Sequence, residues 1–224
     1  MTRFFFFLVF SWFLIPVLSA QTDFKTEINI GVSQGIGLSR VAFYPSVDQG
    51  LLTGYTGGLL LRTITEPHLG IQLEVNYLKR GWTEKFIASG DYTRNQEIIT
   101  VPVMTHIYFG KQTKTRLQFV IGPYIAYLLS DSETMTVSDT LEYKDYYGKS
   151  VAHTFEFGFS GGVAVSFRTK LGIFELQGKY NHSLTNLFTP GAEEFIYQGC
   201  RPQTIDITLH YLVNLTAGGK KSKR

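Results

Sequence analysis

Alternation of apolar and polar side chains with a period of two residues most limits what this chain can fold into. The alternation is clearest over residues 154–167, where one parity is apolar and the other is small or polar. Strand side chains point alternately to opposite faces, whereas a helix would distribute both sets around its circumference. The segment is therefore predicted to be a strand with one apolar face. That face consists of Phe155, Phe157, Phe159, Val163, Val165 and Phe167.

Comparable alternation recurs along the chain and predicts about eight strands and no helix. The predicted strands cover residues 26–33, 55–65, 69–77, 96–109, 116–129, 154–167, 173–181 and 204–215. Several of them reach or exceed the roughly 9–11 residues with which a β-strand crosses a bilayer. Beyond the first twenty residues no segment is apolar and long enough for a spanning helix, so a membrane location requires a closed barrel.

The connections between these strands alternate in length. The short ones lie around residues 66–67, 111–114 and 169–171. The long ones are residues 34–54, 80–95, 130–152 and 188–203. Up-and-down transmembrane barrels place short turns in the periplasm and long loops outside. We therefore predict an all-β, eight-stranded antiparallel up-and-down transmembrane β-barrel with both termini in the periplasm.

The first twenty residues carry a different pattern. Arg3 precedes an apolar run at residues 4–18, and the small residue Ala20 follows, an order typical of a secretory signal peptide. Ser11 and Pro16 interrupt the run, which favours a cleaved signal over a membrane anchor. We predict three segments, namely a signal peptide at 1–20, an outer-membrane β-barrel at 21–215 and a basic flexible tail at 216–224.

Alternation alone does not decide whether the apolar face of the strands points out of the barrel or into its lumen. Only 17% of the residues are charged, against about a quarter in soluble domains, which disfavours a solvated exterior. Five tyrosines lie at or near strand ends, where transmembrane barrels carry aromatic girdles. They are Tyr77, Tyr108, Tyr127, Tyr180 and Tyr211. We predict that the apolar face meets lipid. A soluble, secreted lipocalin-like barrel that binds an apolar ligand is the alternative.

The opposite face carries charged side chains in mid-strand. They are Arg62, Glu74, Glu156, Glu175, Lys179 and Asp206. The lumen of an eight-stranded barrel is only wide enough for side chains to fill it, and a buried unpaired charge costs several kcal/mol. We therefore predict a lumen charge network in which Arg62 and Lys179 neutralise some of the four carboxylates. A packed polar plug is the primary interpretation, and a gated ion path is the alternative.

Several motifs resemble the PorT-like outer-membrane β-barrel family of Bacteroidota. They are LEVNYLKRGW (73–82), EIITVPVMTHIYFG (97–110), QFVIGPYIAYLLSD (118–131), FEFGFSGGVAVSF (155–167) and FELQGKYNHSLTNLF (174–188). The resemblance covers most of residues 55–215 and implies an outer-membrane barrel. The founding member of the family is linked to protein secretion by the type IX system, which implies secretion or envelope proteins as partners. The chain departs from many outer-membrane barrels in lacking a terminal aromatic residue, since TAGGKKSKR follows Leu215.

Residue types that support catalysis or metal binding do not cluster in the sequence. The five histidines lie on different predicted strands or strand ends, without metal-ligand spacing. His182 and Ser183 are adjacent, so on a strand they would point to opposite faces. Cys200 is predicted to be a free, exposed thiol in the last long loop. Without the leader and the tail, basic residues are fewer than the 18 acidic ones, so nucleic-acid binding has no electrostatic support.

The sequence thus predicts a small, non-enzymatic integral protein of the cell outer membrane with a structural or interaction role, linked to secretion through the resemblance. Its predicted partners are outer-membrane lipid and other secretion or envelope proteins. No cofactor, metal, nucleic acid or small-molecule substrate is predicted. A lipid-modifying outer-membrane enzyme is a further alternative.

Overall fold

The computed structural model describes residues 25–86, 90–109, 114–137, 144, 146–189 and 197–216. These residues form eight strands, β1 (Glu27–Tyr44), β2 (Gly50–Glu66), β3 (Leu69–Phe86), β4 (Gly90–Phe109), β5 (Thr115–Val137), β6 (Phe155–Arg168), β7 (Ile173–Ser183) and β8 (Gly199–Asn214). Each strand pairs antiparallel with its neighbour in sequence, and β8 pairs with β1 to close the barrel. The predicted eight-stranded, all-β, up-and-down barrel is confirmed. No helix in the described part of the chain is long and apolar enough to cross a membrane.

The two ends of the barrel differ. At the end that we call the loop end, β1–β2, β3–β4, β5–β6 and β7–β8 are connected. At the opposite end, which we call the termini end, β1 begins, β8 ends and the three other connections lie. The predicted signal peptide at 1–20 lies outside the described residues, as does the predicted tail after Thr216.

Several strands extend well into segments that the sequence predicts to be long loops. Most of residues 34–54 belong to β1 and β2, and most of residues 80–95 belong to β3 and β4. Over residues 80–95 the prediction of a loop was wrong because the outward side chains become polar, as at Thr93 and Asn95. The ladder nevertheless continues, with Arg94 opposite Glu133 and Thr93 opposite Thr134. An apolar outward face is a condition for contact with lipid, not for strand pairing.

The apolar parity of the strands faces outward and the polar parity faces inward. Phe155, Phe157 and Phe159 are 66%, 58% and 57% exposed, whereas Glu156 and Glu175, on the other parity, are 8% and 1% exposed. This is the reverse of the arrangement in a soluble barrel that binds an apolar ligand. Since only closed barrels and helices satisfy their backbone groups in hydrocarbon, the arrangement suits a membrane-spanning wall.

Inward glycines allow adjacent strands to approach closely. A Cβ atom at Gly35 would lie 2.0 Å from the carbonyl oxygen of Ile207, and one at Gly122 would lie 1.9 Å from that of Val103. At both positions the backbone of the neighbouring strand leaves no room for a side chain. Glycine here permits the strong coiling that a narrow barrel requires.

Candidate functional site

The inward side chains form stacked polar layers. In the layer nearest the termini end, Arg62 on β2 reaches across the lumen to Glu175 on β7. Its Nη1 and Nη2 donate to Oε2 and Oε1 of Glu175 at 2.7 and 2.6 Å. Gln118 donates to the same carboxylate at 2.7 Å, and the His210 ring contacts it at 3.2 Å. The two-pronged contact and the extra partners satisfy charges that are almost completely removed from water.

The second layer joins Glu74 on β3 to Lys179 on β7, whose Nζ lies 3.0 Å from Oε2 of Glu74. Gln72 and Asn76 also donate to this carboxylate, at 2.5 and 2.6 Å. Gln72 in turn accepts a hydrogen bond from Nε of Arg62 at 2.5 Å. The first two layers are therefore one continuous network.

The third layer pairs Glu156 on β6 with Arg80 on β3, a residue that the sequence analysis assigned to a loop. Nη1 of Arg80 lies 2.9 Å from Oε1 of Glu156, and the Tyr124 hydroxyl donates to the same oxygen at 2.8 Å. Asp206 accepts a hydrogen bond from Asn181 at 2.6 Å, and its Oδ1 has no hydrogen-bond partner in the described part of the chain. The structure thus brings five of the six predicted network residues into ion pairs and leaves Asp206 with a neutral partner.

Little free space separates these layers. The enclosed cavity lined by Arg80, Lys179 and Asp206 measures about 10 Å³, as does the one lined by Gln96 and Glu156. A volume of this size admits about one water molecule.

At the loop end the lumen becomes aromatic around a single buried carboxylate. Glu84 on β3 is 0% exposed and accepts hydrogen bonds from Trp82 at 2.9 Å and from Tyr147 at 3.0 Å. Lys144 donates to it at 2.6 Å, and the Tyr146 hydroxyl also donates to it. Lys144, Tyr146 and Tyr147 belong to the β5–β6 connection. This connection therefore folds back into the barrel and is held there by Glu84.

We call this closure the mouth cluster, which consists of Val41, Phe43, Trp82, Tyr92, Tyr146, Tyr147, Leu187, Phe188, Tyr197 and Cys200. Tyr146 lies at its centre, stacked on Phe43 with ring centroids 4.9 Å apart. Arg94 caps the cluster, since it pairs with Asp131 and Glu133 and donates to the Lys149 carbonyl at 2.7 Å. The β5–β6 connection is thereby attached to β4 and β5 as well as to β3.

Burial in the mouth cluster changes the titration of its groups. It raises the pKa of Tyr146 and Tyr147, and the Glu84 carboxylate acts in the same direction. Burial also raises the pKa of the Cys200 thiol, which is 0% exposed and accepts a hydrogen bond from the Phe188 amide. The prediction of an exposed thiol was wrong because residues 199–203 belong to β8 and Cys200 points inward.

The predicted lumen network lacks Arg80, Trp82, Glu84 and Arg94, although the sequence carries a signal for them. The inward parity of β3 runs without interruption through Gln72, Glu74, Asn76, Leu78, Arg80, Trp82 and Glu84. Following that parity past Tyr77 would have placed all the β3 residues of the site in the lumen. Tyr146 and Tyr147 had no such signal, because a connection has no fixed parity.

The side chains predicted to face lipid lie on the outer wall, except Tyr108, which is 3% exposed because it shares the inward parity of β4. Phe155, Phe157, Phe159, Val163 and Phe167 are exposed, and Val165 is half-buried. His182 also points outward, whereas the adjacent Ser183 is buried and donates to the Thr185 carbonyl. No group of three or more His, Cys, Asp or Glu residues in the described ranges is arranged to hold a metal ion.

A protein-family model described as "Outer membrane protein beta-barrel domain" matches residues 19–189. No curated protein matches the chain. Solved structures similar to it include Ail, the attachment invasion locus protein of Yersinia pestis, in complex with the heparin analogue sucrose octasulfate. The identity to Ail is 14%, over 84% of this chain and 99% of that chain, with a TM-score of 0.40.

Two further similar structures are Neisserial surface protein A and the outer membrane protein OprG of Pseudomonas aeruginosa. Each is 10% identical over 84% of this chain with a TM-score of 0.44. The matches cover 99% and 95% of those chains, respectively.

Proposed function

We propose that this chain, which belongs to the outer membrane protein beta-barrel domain family, is a non-conducting and non-enzymatic barrel with a structural or interaction role. Its location is the outer membrane. The observation that carries the proposal is the stack of cross-lumen ion pairs, Arg62–Glu175, Lys179–Glu74 and Arg80–Glu156. Together they occupy the lumen over three consecutive layers.

The energetics of these pairs favour a packed lumen over an ion path. An ion could pass only if the partners separated, and separation leaves a buried charge uncompensated at a cost of about 3–5 kcal/mol for each pair. The two cavities of about 10 Å³ beside these pairs each admit about one water molecule. The mouth cluster adds a second closure at the loop end.

Single-channel recording on the purified barrel tests the proposal. Heat-modifiable gel migration first establishes that the protein is folded, and planar bilayers are then used to measure current. We expect no stable conductance for the wild-type chain. The Lys79→Gln/Glu97→Gln variant, which removes an exposed ion pair on the outer wall, should behave in the same way. A steady open state on the nanosiemens scale in the wild type would refute the packed lumen.

The orientation follows from the lengths of the connections. We propose that the loop end faces the exterior and that both termini lie in the periplasm, because transmembrane barrels carry their short turns on the periplasmic side. Phe155, Phe157, Phe159, Val163, Val165 and Phe167 then form part of the lipid-facing wall. The paired extensions of β3, β4 and β5 rise beyond that wall and present polar side chains such as Thr93 and Ser132. Rigid polar surfaces of this kind suit contacts with other envelope proteins.

The PorT-like motifs of the sequence support a narrower proposal, a role in protein secretion of the type IX kind. A deletion strain tests it through the set of secreted proteins. Loss of a defined group of secreted proteins, restored by the wild-type gene, is the expected result. An unchanged secreted set would remove the secretion role and leave the barrel's structural role to be tested separately.

A further inference from the structure

A cationic patch lies on the outer wall directly above the apolar band, at the loop end. Arg40 on β1 and Arg201 on β8 are both exposed and point outward. The register places Arg40 opposite Gln203 and Ala42 opposite Arg201. The two arginines are therefore diagonal neighbours, roughly 7 to 8 Å apart at the backbone, a separation that one phosphate group can bridge.

The patch is held in position and is not neutralised. Nε of Arg40 donates to Oε1 of Gln203 at 3.1 Å, and Nε2 of Gln203 lies 3.4 Å from the His182 ring. The hydrogen bond to Gln203 uses only Nε of Arg40, whose side chain is exposed. Neither arginine forms an ion pair with any residue that the structure describes. Lys79, at the same rim, differs in being paired with Glu97 at 3.0 Å.

Two apolar grooves lie below the patch on the same strands. The nearer one, of about 400 Å³, is lined by residues that include Ile36, Tyr55, Leu176 and Leu209. The second, of about 650 Å³, is lined by residues that include Ile30, Val32, Leu59, Leu61 and Val213. Both follow the outward face of β1, and Arg40 lies four residues beyond Ile36 on that face.

We propose that this wall binds a phosphate-bearing lipid of the leaflet at the loop end. Its phosphate lies between Arg40 and Arg201, and its acyl chains follow the grooves along β1. Clusters of basic residues beside a membrane-spanning segment recognise anionic headgroups through the same charge complementarity. The inference rests on the location of the chain in the outer membrane, and it uses the proposed orientation only to assign the leaflet.

The charge distribution favours an anionic lipid over a second copy of the chain as the occupant of this wall. A two-fold dimer packed through β1 would place Arg40 of one protomer near Arg40 of the other at the same depth in the membrane. Like charges in such an interface oppose association. An anionic headgroup removes this repulsion and also fills the apolar surface below it.

Native mass spectrometry of the full chain in detergent tests the proposal. The probes are phosphatidylglycerol and, as the zwitterionic control, phosphatidylcholine. We expect the wild type to bind phosphatidylglycerol more tightly. The variant Arg40→Gln/Arg201→Gln should bind it about 25-fold more weakly, since each basic residue near a membrane surface contributes about five-fold. Lys79→Gln, a matched loss of one positive charge at the same rim, should change the affinity less than two-fold.

Two further measurements address the groove and the source of the phosphate. Ile36→Trp, which fills the nearer groove without changing the charge, should also weaken lipid binding. Inorganic phosphate in millimolar excess should not displace the lipid, because it makes no contact with the grooves. The proposal is overturned if the double arginine variant binds phosphatidylglycerol as the wild type does, or if Lys79→Gln loses as much. Displacement by inorganic phosphate, or a stable dimer in place of lipid-bound monomers, would equally overturn it.

Discussion

Arg62 and Glu175 illustrate how single residues hold this barrel together. Both side chains are removed from water, and each is satisfied by further partners besides the ion pair. A buried pair of this kind contributes little compared with an apolar core, but the loss of one partner is expensive because the other charge stays buried. The stability of the lumen therefore depends on the whole set of partners around each buried charge more than on any one contact.

Glu175→Gln is predicted to lower the free energy of unfolding by about 3–5 kcal/mol, because it leaves the Arg62 charge without its counter-ion. Urea unfolding of the barrel in lipid vesicles provides the measurement. Glu97→Gln removes one partner of an exposed pair and should cost less than about 1 kcal/mol. Arg62→Met/Glu175→Leu should be more stable than Glu175→Gln. Equal stability of Glu175→Gln and the wild type would contradict this account of the lumen.

At the scale of elements, the β5–β6 connection is positioned by side-chain contacts and not by strand pairing. Its residues Tyr146 and Tyr147 donate hydrogen bonds to the buried side chain of Glu84. Loss of the hydroxyl protons would remove both of these hydrogen bonds. The attachment of the connection is therefore sensitive to alkaline pH.

The raised pKa values of Tyr146 and Tyr147 predict that the free energy of unfolding falls as the pH becomes alkaline. A tyrosine whose pKa is higher in the folded than in the unfolded state contributes full stability below its unfolded value of about 10. The contribution falls as the pH rises above that value, by up to about 1.4 kcal/mol per pH unit for each group. The unfolding free energy of the wild type should therefore decline more steeply between pH 10 and 12 than that of Tyr146→Phe.

Trp82 gives a local readout of the same transition, since it lies in the mouth cluster and the other tryptophan, Trp12, belongs to the predicted signal peptide. Its fluorescence should change on the alkaline limb in the wild type and less in Tyr146→Phe. Tyr44→Phe, which removes an exposed tyrosine hydroxyl at the same end, is the matched control. Parallel alkaline curves for the wild type and Tyr146→Phe would show that the connection is not held through these hydroxyls.

At the scale of the whole molecule, the barrel is asymmetric along its axis. The loop end carries the extensions of β3, β4 and β5, the mouth cluster and the cationic patch, whereas the termini end carries short connections and the ion pair of Arg168 with Glu27. Each end is thus suited to a different compartment. The asymmetry leads to a prediction about orientation.

Ser132→Cys on β5 should react with a membrane-impermeant maleimide on intact cells, because Ser132 is exposed on the part of β5 that extends beyond the apolar band. Lys170→Cys, in the short β6–β7 connection, should react only after the outer membrane is opened. Both substitutions are made with Cys200 replaced by Ser. Labelling of Lys170→Cys alone on intact cells would reverse the proposed orientation.

Strand identity, strand number and the direction of the two faces were determined by the sequence itself. Period-two alternation is a local property, since each side chain of a strand takes the face opposite to its neighbour whatever the strand packs against. The same rule groups Arg62, Glu74 and Glu175 on the polar face of the wall, and the low charged fraction of 17% favoured turning that face to the lumen. Strand ends were predicted less well, because beyond the membrane the outward residues lose the apolar character on which the pattern depends.

Partners across the lumen were decided only by the tertiary structure. Arg62 and Glu175 lie 113 positions apart, and Glu84 meets Tyr146 across 62. Closure of the barrel and the relative stagger of all its strands determine which inward side chains face each other at a given depth. Alternation specifies that a residue points inward. It contains no information about which residue will be opposite, and therefore the pairing of Glu156 with Arg80 and the burial of Cys200 required the folded chain.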